Sequence, residues 1–266
     1  MKIIKHNNAT ILCDEFAYER KPDIKAFISS WEVDKIIKII DEEFYLVLGW
    51  DGTMLRAIQG TFKDGKPYLW INFWSKGFLL NERWFTKQNW MSFKTIKYPM
   101  LNVEVDTWNW VLRHTAFNEV QVKTAGWHMT DLNLQIWKHS KIRLKWDGII
   151  IVTPAGSTGY NMSAWWPVLP HSSPNFIATP LLTFEPKNMK PIVFESSENA
   201  TITNNNERWY EFSVYADATP VIEKTNKDVI IIVSKCKTTV RLLIASSYDD
   251  IWHSKVYAEQ WFEFIE

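Results

Sequence analysis

A strand, a tight turn, a helix and a second strand follow one another between residues 44 and 73. The apolar run 44–48 predicts a buried strand, and Met54, Leu55 and Ile58 have the spacing of one helix face. Gly65-Lys66-Pro67 breaks the chain before a second apolar run, 68–73. Such a βαβ unit joins neighbouring parallel strands, so the sequence predicts a parallel sheet in this part of the chain.

One helix is predicted ahead of this unit. Val33, Ile36, Ile37 and Ile40 follow the i, i+3, i+4, i+7 pattern of an amphipathic helix. The first buried strand that the apolar pattern predicts begins only at residue 44. With only about 43 residues ahead of that strand, part of the sheet usual for such a first domain is not accounted for by the apolar pattern.

The pattern changes near residue 97, where apolar and polar residues begin to alternate. Alternation predicts strands with one buried face, which is typical of antiparallel sheets. The alternating segments are 101–105, 120–122, 132–136, 229–233 and 240–244. We therefore expect an α/β domain over 1–97, followed by an all-β, antiparallel, sandwich-like domain over 98–249. Residues 250–266 are expected to return and complete the first domain.

Composition excludes several classes of function. Lys and Arg number 30, as do Asp and Glu, so no basic field predicts nucleic acid or anionic membrane as a partner. No window approaches the ~18 apolar residues of a membrane span, and the N-terminal stretch does not resemble a signal peptide. Cys13 and Cys236 have no metal-ligand spacing and predict two ordinary thiols. We expect a cytoplasmic protein without a protein-held metal site.

Glycine is scarce and tryptophan abundant. The chain has 16 Trp and 9 Gly, whereas average usage of about 7% predicts roughly 18 or 19 glycines in a chain of this length. The surplus of one residue type and the deficit of the other are of similar size.

Three separated stretches resemble the NAD kinase family. They read LGWDGTMLRAI at 48–58, TAFNEV at 115–120 and KWDGIIIVTPAGSTGYNMSAWWPVLP at 145–170. The family signature is G-G-D-G-T, then N-E, then G-D-G…T-P-x-G-S-T-A-Y…S-A-G-G-P. The first motif is shared with diacylglycerol kinases, sphingosine kinases and phosphofructokinases, whereas the third is specific.

Departures from the family pattern run in one direction, because glycines of the family stand as tryptophan in this chain. The six positions are Trp50, Trp70, Trp74, Trp146, Trp165 and Trp166. Four further tryptophans fall in predicted turns, where glycine would supply a positive φ: Trp108, Trp110, Trp127 and Trp209. Our hypothesis is that a UGA codon, read as glycine in the source organism, is rendered here as tryptophan. The alternative is that the tryptophans are genuine and the site is dead.

The resemblance implies that the α/β domain is an N-terminal nucleotide-binding domain. It also implies transfer of the ATP γ-phosphoryl group to the 2′-hydroxyl of the adenosine ribose of NAD, giving NADP. It implies that Asp51 accepts the proton, with Gly52 beside it in the phosphate-binding turn, although Asp51 could equally cap a helix. It implies that Asn118 and Glu119 bind NAD, although this pair could equally be a polar strand end.

Further binding residues follow from the third motif and its surroundings. Six residues open a helix after the strand 149–152: Thr158, Gly159, Tyr160, Asn161, Met162 and Ser163. Lys145 and Asp147 match substrate-contacting positions of the family. His128 matches a family His or Arg and could also be structural, and Thr219 follows an Asp-Ala pair where the family often has D-G-Q. Arg56 and Lys76 could face phosphates or solvent.

The resemblance also implies Mg²⁺, or another divalent metal, brought in with ATP, and a homodimer or homotetramer. The phosphoryl donor stays open between ATP and polyphosphate. Two alternatives remain beside NAD kinase: a lipid kinase of the diacylglycerol type that shares the first motif, and a non-catalytic NAD-binding protein.

Overall fold

The computed structural model describes residues 1–73, 79, 81–87, 91–126, 128–164, 167–204, 210–246 and 256. The chain divides into two compact units, one comprising Met1–Tyr98 with the segment from Thr239 onward, the other Pro99–Thr238. The strands are β1 (Lys2–His6), β2 (Ala9–Cys13), β3 (Phe44–Gly49), β4 (Tyr68–Asn72), β5 (Asn81–Glu82), β6 (Phe93–Asp106), β7 (Val111–Ala116), β8 (Glu119–Thr124), β9 (Thr130–Ile136), β10 (Ile142–Trp146), β11 (Gly148–Val152), β12 (Asn175–Leu181), β13 (Ile192–Glu195), β14 (Ala200–Asn204), β15 (Phe212–Ala216), β16 (Thr219–Thr225) and β17 (Ile230–Ala245). The α-helices are α1 (Glu15–Arg20), α2 (Pro22–Ile28), α3 (Trp31–Ile39), α4 (Asp51–Thr61) and α5 (Tyr160–Ser163).

The first unit contains the predicted βαβ arrangement. Strands β2, β3 and β4 run parallel, and the end of β17 joins β4 in parallel through Leu242 and Leu243. Every residue of β3 and β4 is buried, as expected of parallel strands covered on both faces. Helix α4 connects β3 to β4, which confirms the unit predicted from the apolar pattern.

Helix α3 confirms the amphipathic pattern. Val33 and Ile36 are fully buried and contribute to the core around β2 and β3, while Lys38 lies in its last turn. Short helices α1 and α2 precede it, and Asp14 caps α1 by accepting a hydrogen bond from the backbone N–H of Ala17.

The first buried strand of the chain is β2 and not, as predicted, the strand that begins at residue 44. Strands β1 and β2 form an antiparallel hairpin, and β2 is buried beside β3. Asn7 occupies the turn with φ 55°, a conformation that Asn tolerates better than most residues. The hairpin supplies the sheet that the apolar pattern did not predict.

The second unit is an antiparallel β structure. One sheet has the order β13-β12-β11-β8-β15-β16, and β9 pairs with β10 and β14 in another. Apolar side chains of the two sheets, such as Val120 and Val122 on β8 and Leu132 and Leu134 on β9, share one hydrophobic cluster. The prediction of an α/β part followed by an antiparallel β part is thus confirmed.

Two details differ from the sequence prediction. The segments 229–233 and 240–244, predicted as separate strands, lie in the single long strand β17, apart from residue 229, which precedes it. The segment 250–266 lies outside the described residues except for Val256, which is buried.

Candidate functional site

The turn after β3 presents Asp51 at the start of helix α4. Trp50 precedes the helix in an extended conformation, and its carbonyl oxygen accepts hydrogen bonds from the N–H groups of Thr53 and Met54. Asp51 is exposed in the first turn of α4. The positive end of the helix dipole favours negative charge at this place.

Gly49 and Thr53 show why this turn tolerates so little bulk. Gly49 has φ 155°, and a Cβ there would lie 2.6 Å from the Thr53 hydroxyl oxygen. That hydroxyl is buried and has no hydrogen-bond partner among the described residues. A buried hydroxyl of this kind is a group that a bound phosphate oxygen would satisfy.

Trp50 covers the turn. Its indole nitrogen lies 2.9 Å from the position that a Cβ on Gly52 would take. The Arg56 guanidinium stacks over the Trp50 ring at 5.6 Å and pairs with Asp14 at 2.9 Å. The indole thus occupies the surface over Gly52, and Arg56 is held by a carboxylate. Lys76, the other cation suggested for phosphate, lies outside the described residues.

Asn118 and Glu119 lie in a loop that joins β7 to β8, and Asp217 holds this loop. The Asp217 carboxylate accepts hydrogen bonds from three consecutive N–H groups, those of Phe117 at 2.6 Å, Asn118 at 2.8 Å and Glu119 at 3.2 Å. Residues 117–119 are called the 117–119 loop below. In the sequence, Asp217 stood out only as part of the Asp-Ala pair before Thr219. The one sequence signal for its role is that an Asp occupies a predicted turn.

Glu119 is a buried carboxyl. Burial, together with the nearby Asp217 carboxylate, raises its pKa to about 7, while the Gln121 amide opposes the shift by donating a hydrogen bond at 3.1 Å. Burial also raises the pKa of Asp217 to about 6, against the opposing effect of its three N–H donors. Asn118 keeps a buried amide oxygen with no partner among the described residues.

The T-P-A-G segment packs directly on the 117–119 loop. The Thr153 N–H donates to the Asn118 carbonyl at 2.9 Å, and the Thr153 hydroxyl donates to the Phe117 carbonyl at 2.7 Å. A Cβ at Gly156 would lie 2.3 Å from the Asn118 carbonyl oxygen. Only glycine allows this approach, so the second and third motifs form one cluster.

The helix-opening residues divide into two groups. Thr158 and Asn161 are buried and bond internally: the Asn161 amide donates to the Ser157 and Pro167 carbonyls and accepts from the Thr179 hydroxyl. Exposed or half-exposed positions are available to a ligand: Gly159, Tyr160, Met162 and Ser163. The Tyr160 side chain is 48% exposed, which leaves its ring free to stack on a base.

A second group lies at the opposite end of the same strands. Thr124, the last residue of β8, donates its backbone N–H to the Asp147 carbonyl at 2.8 Å, while Glu119 begins β8. Five residue steps of about 3.4 Å separate these ends by about 17 Å. Lys145 forms an ion pair with Glu185 at 2.7 Å, and the exposed ring of His128 stacks on Tyr210.

Thr219 belongs to the first group by its place in the sheet. It begins β16 and pairs with Ala216 across the hairpin turn that contains Asp217. The structure therefore brings Asn118, Glu119, Gly156 and Thr219 to one end of the sheet and Asp147 to the other. Lys145 lies two residues before Asp147, on strand β10 of the other sheet.

The tryptophans at family glycine positions have mixed surroundings. Trp70 and Trp146 are buried, and the indole nitrogen of each has no hydrogen-bond partner in the described part of the chain, although buried indoles usually find one. Trp108 has φ 67°, the conformation for which the predicted turn would favour glycine. Trp110 does not have a positive φ. Trp74, Trp127, Trp165, Trp166 and Trp209 lie outside the described residues.

The described residues contain neither a metal-binding cluster of side chains nor a membrane-spanning helix. Within 1–73, 81–87 and the later described ranges, no three His, Cys, Asp or Glu side chains cluster in a way that could hold a metal ion. None of the helices described here has the length and hydropathy needed to cross a bilayer.

The family model of the ATP-NAD kinase C-terminal domain matches residues 117–244, which include the 117–119 loop, the T-P-A-G segment and Asp217. An NAD kinase of Rickettsia rickettsii is 30% identical over 201 residues, which cover 72% of this chain and 79% of that relative. The chain belongs to the NAD kinase family.

Other members of the family match over different lengths. An NAD kinase of Brucella melitensis is 35% identical over 156 residues, and the match spans 59% of that relative's length and 55% of this chain. An NAD kinase of Rhizobium meliloti is 28% identical over 92% of this chain and 93% of its own.

Two solved structures share the fold. Yeast NADH kinase, in complex with NADH, has a TM-score of 0.71 and 18% identity, covering 96% of this chain and 79% of that chain. An NAD kinase of Archaeoglobus fulgidus, in complex with ATP, has a TM-score of 0.67 and 20% identity, covering 94% of this chain and 98% of its own. Both support the architecture of an α/β part and an antiparallel β part.

Proposed function

We propose that this protein is an NAD kinase, which transfers the γ-phosphoryl group of ATP to the 2′-hydroxyl of the adenosine ribose of NAD and releases NADP. Membership of the family carries this proposal, and the matched region contains the Asn118–Glu119 pair. The lipid-kinase alternative needs only the first motif and gives no reason for the cluster around the 117–119 loop.

The residues have distinct roles in this reaction. Asp51 is the exposed carboxylate at the N-terminus of α4 and accepts the proton of the attacking hydroxyl. The N–H groups of the same helix end stabilise phosphate charge. In the second unit, the Asn118 amide and the Glu119 carboxyl bind the nucleotide, and the exposed Tyr160 ring stacks on a base.

The divalent metal fits this site as a partner of ATP. Mg²⁺ keeps several waters and is held mainly through substrate phosphates, so it does not require a cage of protein ligands. Bound with ATP, it neutralises charge on the β- and γ-phosphates. Free thiols at Cys13 and Cys236 support the proposed cytoplasmic location.

A homo-oligomer is part of the proposal. The two groups of binding residues lie about 17 Å apart along β8 and β11, so a second copy supplying Lys145 and Asp147 explains both. Coexpression of a Glu119→Ala chain with an Asp147→Ala chain tests this arrangement: mixed oligomers regain activity that neither variant has alone. Activity no higher than that of the separate variants contradicts it.

NADP formation is the decisive assay for function. The chain as printed and a version with glycine at the six family positions are each incubated with Mg²⁺ and NAD or NADH, with ATP or polyphosphate as donor. We expect NADP from the glycine version and little from the printed chain, because the Trp50 indole covers Gly52. Diacylglycerol as acceptor tests the lipid-kinase alternative, and phosphorylated lipid without NADP would establish it.

An Asp51→Asn change separates catalysis from binding. We expect kcat to fall by about 10²- to 10⁴-fold, because the general base is lost, while NAD affinity measured by calorimetry stays within a small factor. Asp41→Asn, an exposed carboxylate of the same unit, is the matched control and keeps full activity. NAD binding with no NADP formed by any version identifies a non-catalytic binding protein instead.

A further inference from the structure

One buried carboxylate serves the 117–119 loop. The Asp217 side chain is almost fully buried, and both of its oxygens accept hydrogen bonds from that loop. The Phe117 and Asn118 N–H groups, which lie just before β8, donate to the Asp217 Oδ2 and Oδ1 atoms respectively. Without the carboxylate these donors would lose their acceptor inside the protein.

The position of Asp217 is set by the β15–β16 hairpin. Asp217 and Ala218 form its two-residue turn with φ 47° and 64°, and Ala216 pairs with Val120 on β8. The Asp217 N–H also donates to the Glu119 carbonyl at 3.1 Å. The hairpin therefore holds Glu119 through both its N–H and its carbonyl group.

The T-P-A-G segment fixes the other side of the loop through the Asn118 carbonyl and Gly156. The backbone of Asn118 is thus bonded on both sides, and its side-chain amide oxygen is left buried without a partner in the described region. A residue whose backbone is held on both sides, with an unused side-chain acceptor, is ready to receive a donor from a ligand.

We propose that Asp217 is a positioning residue, which orients Asn118 and Glu119 for NAD without touching the nucleotide itself. This inference rests on the proposed function. It assigns Asp217 to NAD recognition and not to the phosphate-binding turn in the other unit. Its loss therefore acts on the KM for NAD and leaves the KM for ATP unchanged.

The experiment uses Asp217→Asn in the version that forms NADP. We expect the KM for NAD to rise about tenfold or more, with a smaller change in kcat and no change in the KM for ATP. Hydrogen exchange measured by mass spectrometry reports the loop directly: amides of 117–119 exchange faster than in the parent. Asp217→Glu keeps the charge but displaces the oxygens, and its KM for NAD falls between those of the parent and Asp217→Asn.

Asn204→Ala is the matched control. The Asn204 side chain also bonds loop backbone in the second unit, accepting from the Val229 N–H and donating to the Lys227 carbonyl. The Asn204→Ala variant is expected to be less stable than the parent but to keep the parent KM for NAD. The inference is overturned if a folded Asp217→Asn variant keeps the parent KM for NAD. Where Asp217→Asn is insoluble, Asp217→Glu serves as the test in the same way. The inference is also overturned if Asn204→Ala raises the KM for NAD as much as the Asp217 variant does.

The two proposals fail in different ways. A parent that forms no NADP contradicts the proposed function, whereas an active parent with an unchanged KM in the Asp217 variants contradicts only the positioning role. Faster exchange at 117–119 without a change in the KM for NAD reduces Asp217 to a stabilising residue and rejects the proposal.

Discussion

At the scale of single residues, two tryptophans adopt a conformation that suits glycine. Trp108 and Trp137 have φ 67° and 48°, and both side chains are exposed at 75% and 48%. A left-handed conformation costs an ordinary residue about 1–2 kcal/mol, a cost that packing of these exposed rings does not offset. The turn signature predicted this for Trp108 but not for Trp137, because no family motif or turn cluster surrounds residue 137.

Trp108→Gly and Trp137→Gly are each expected to stabilise the protein by about 1 kcal/mol, because glycine reaches positive φ without steric cost. Urea unfolding measures the change. Trp31→Gly is the control: Trp31 begins helix α3 with helical backbone, so glycine there destabilises, by about 0.5 kcal/mol. The coding DNA gives a second test, with UGA expected at both turn positions and at Trp50; UGG there contradicts the decoding hypothesis.

Glu119 makes stability depend on pH. Its pKa is about 7 in the folded chain and 4.5 in a free side chain, so between these values the folded state binds more protons than the unfolded state. The free energy of unfolding therefore falls as pH rises from about 4.5 to about 7, by up to roughly 3 kcal/mol for this group. Asp217, with its pKa raised to about 6, adds a change of the same sign.

Glu119→Gln removes the larger part of this dependence. We expect urea unfolding between pH 5 and pH 8 to show a flatter curve for the variant, with the remaining slope due to Asp217. Glu223→Gln, which changes an exposed carboxyl on β16, is the matched control. An unchanged slope in Glu119→Gln contradicts the assignment.

At the scale of secondary-structure elements, the apolar pattern of the sequence predicts a helix or strand correctly where one face of the element, or all of it, is buried. Helix α3 and strands β3 and β4 follow from it because their burial sets the spacing of apolar residues. The β1–β2 hairpin was missed because β1 is largely exposed and carries no apolar alternation. β17 reads as two strands because its middle is exposed, at positions such as Lys235 and Lys237.

The β15–β16 hairpin offers a test at this scale. Ala218 has φ 64° in a turn where the family often has glycine, so Ala218→Gly is expected to stabilise the second unit by about 1 kcal/mol. Thermal unfolding measures it, and the KM for NAD is expected to stay constant since Asp217 keeps its bonds. Ala200→Gly, on the buried strand β14, is the control and destabilises. Destabilisation by Ala218→Gly contradicts the turn geometry.

At the scale of the whole molecule, motifs identify residues but not their arrangement. Asp51, Asn118 and Glu119 were predicted from short signatures, because their chemistry and their neighbours are local in the sequence. The position of Asp147 at the opposite end of β8 depends on the antiparallel register of β8 and β11, which no local pattern encodes. The bonds from Asp217 to the 117–119 loop join residues about one hundred positions apart, so only the fold reveals them.

The two cysteines report on the integrity of the fold. Cys13 is fully buried on β2, and burial, together with the neighbouring Asp14 carboxylate, raises its pKa to about 11, so its reactive thiolate is scarce in the folded chain. Cys236 is half-exposed. A thiol reagent such as DTNB is therefore expected to label one cysteine in the native protein and two in urea, and Cys236→Ser leaves none reactive in the native state.

Labelling of Cys13 then proceeds only through opening of the first unit, so its rate measures that opening. We expect this rate to be lower in the version with glycine at the six family positions than in the chain with tryptophan there. In the tryptophan chain, the buried Trp70 indole has no hydrogen-bond partner among the described residues, and the glycine version avoids this cost. Equal rates would mean that the first unit accommodates tryptophan at Trp50 and Trp70 without loss of stability, and would remove the structural support for glycine at these positions.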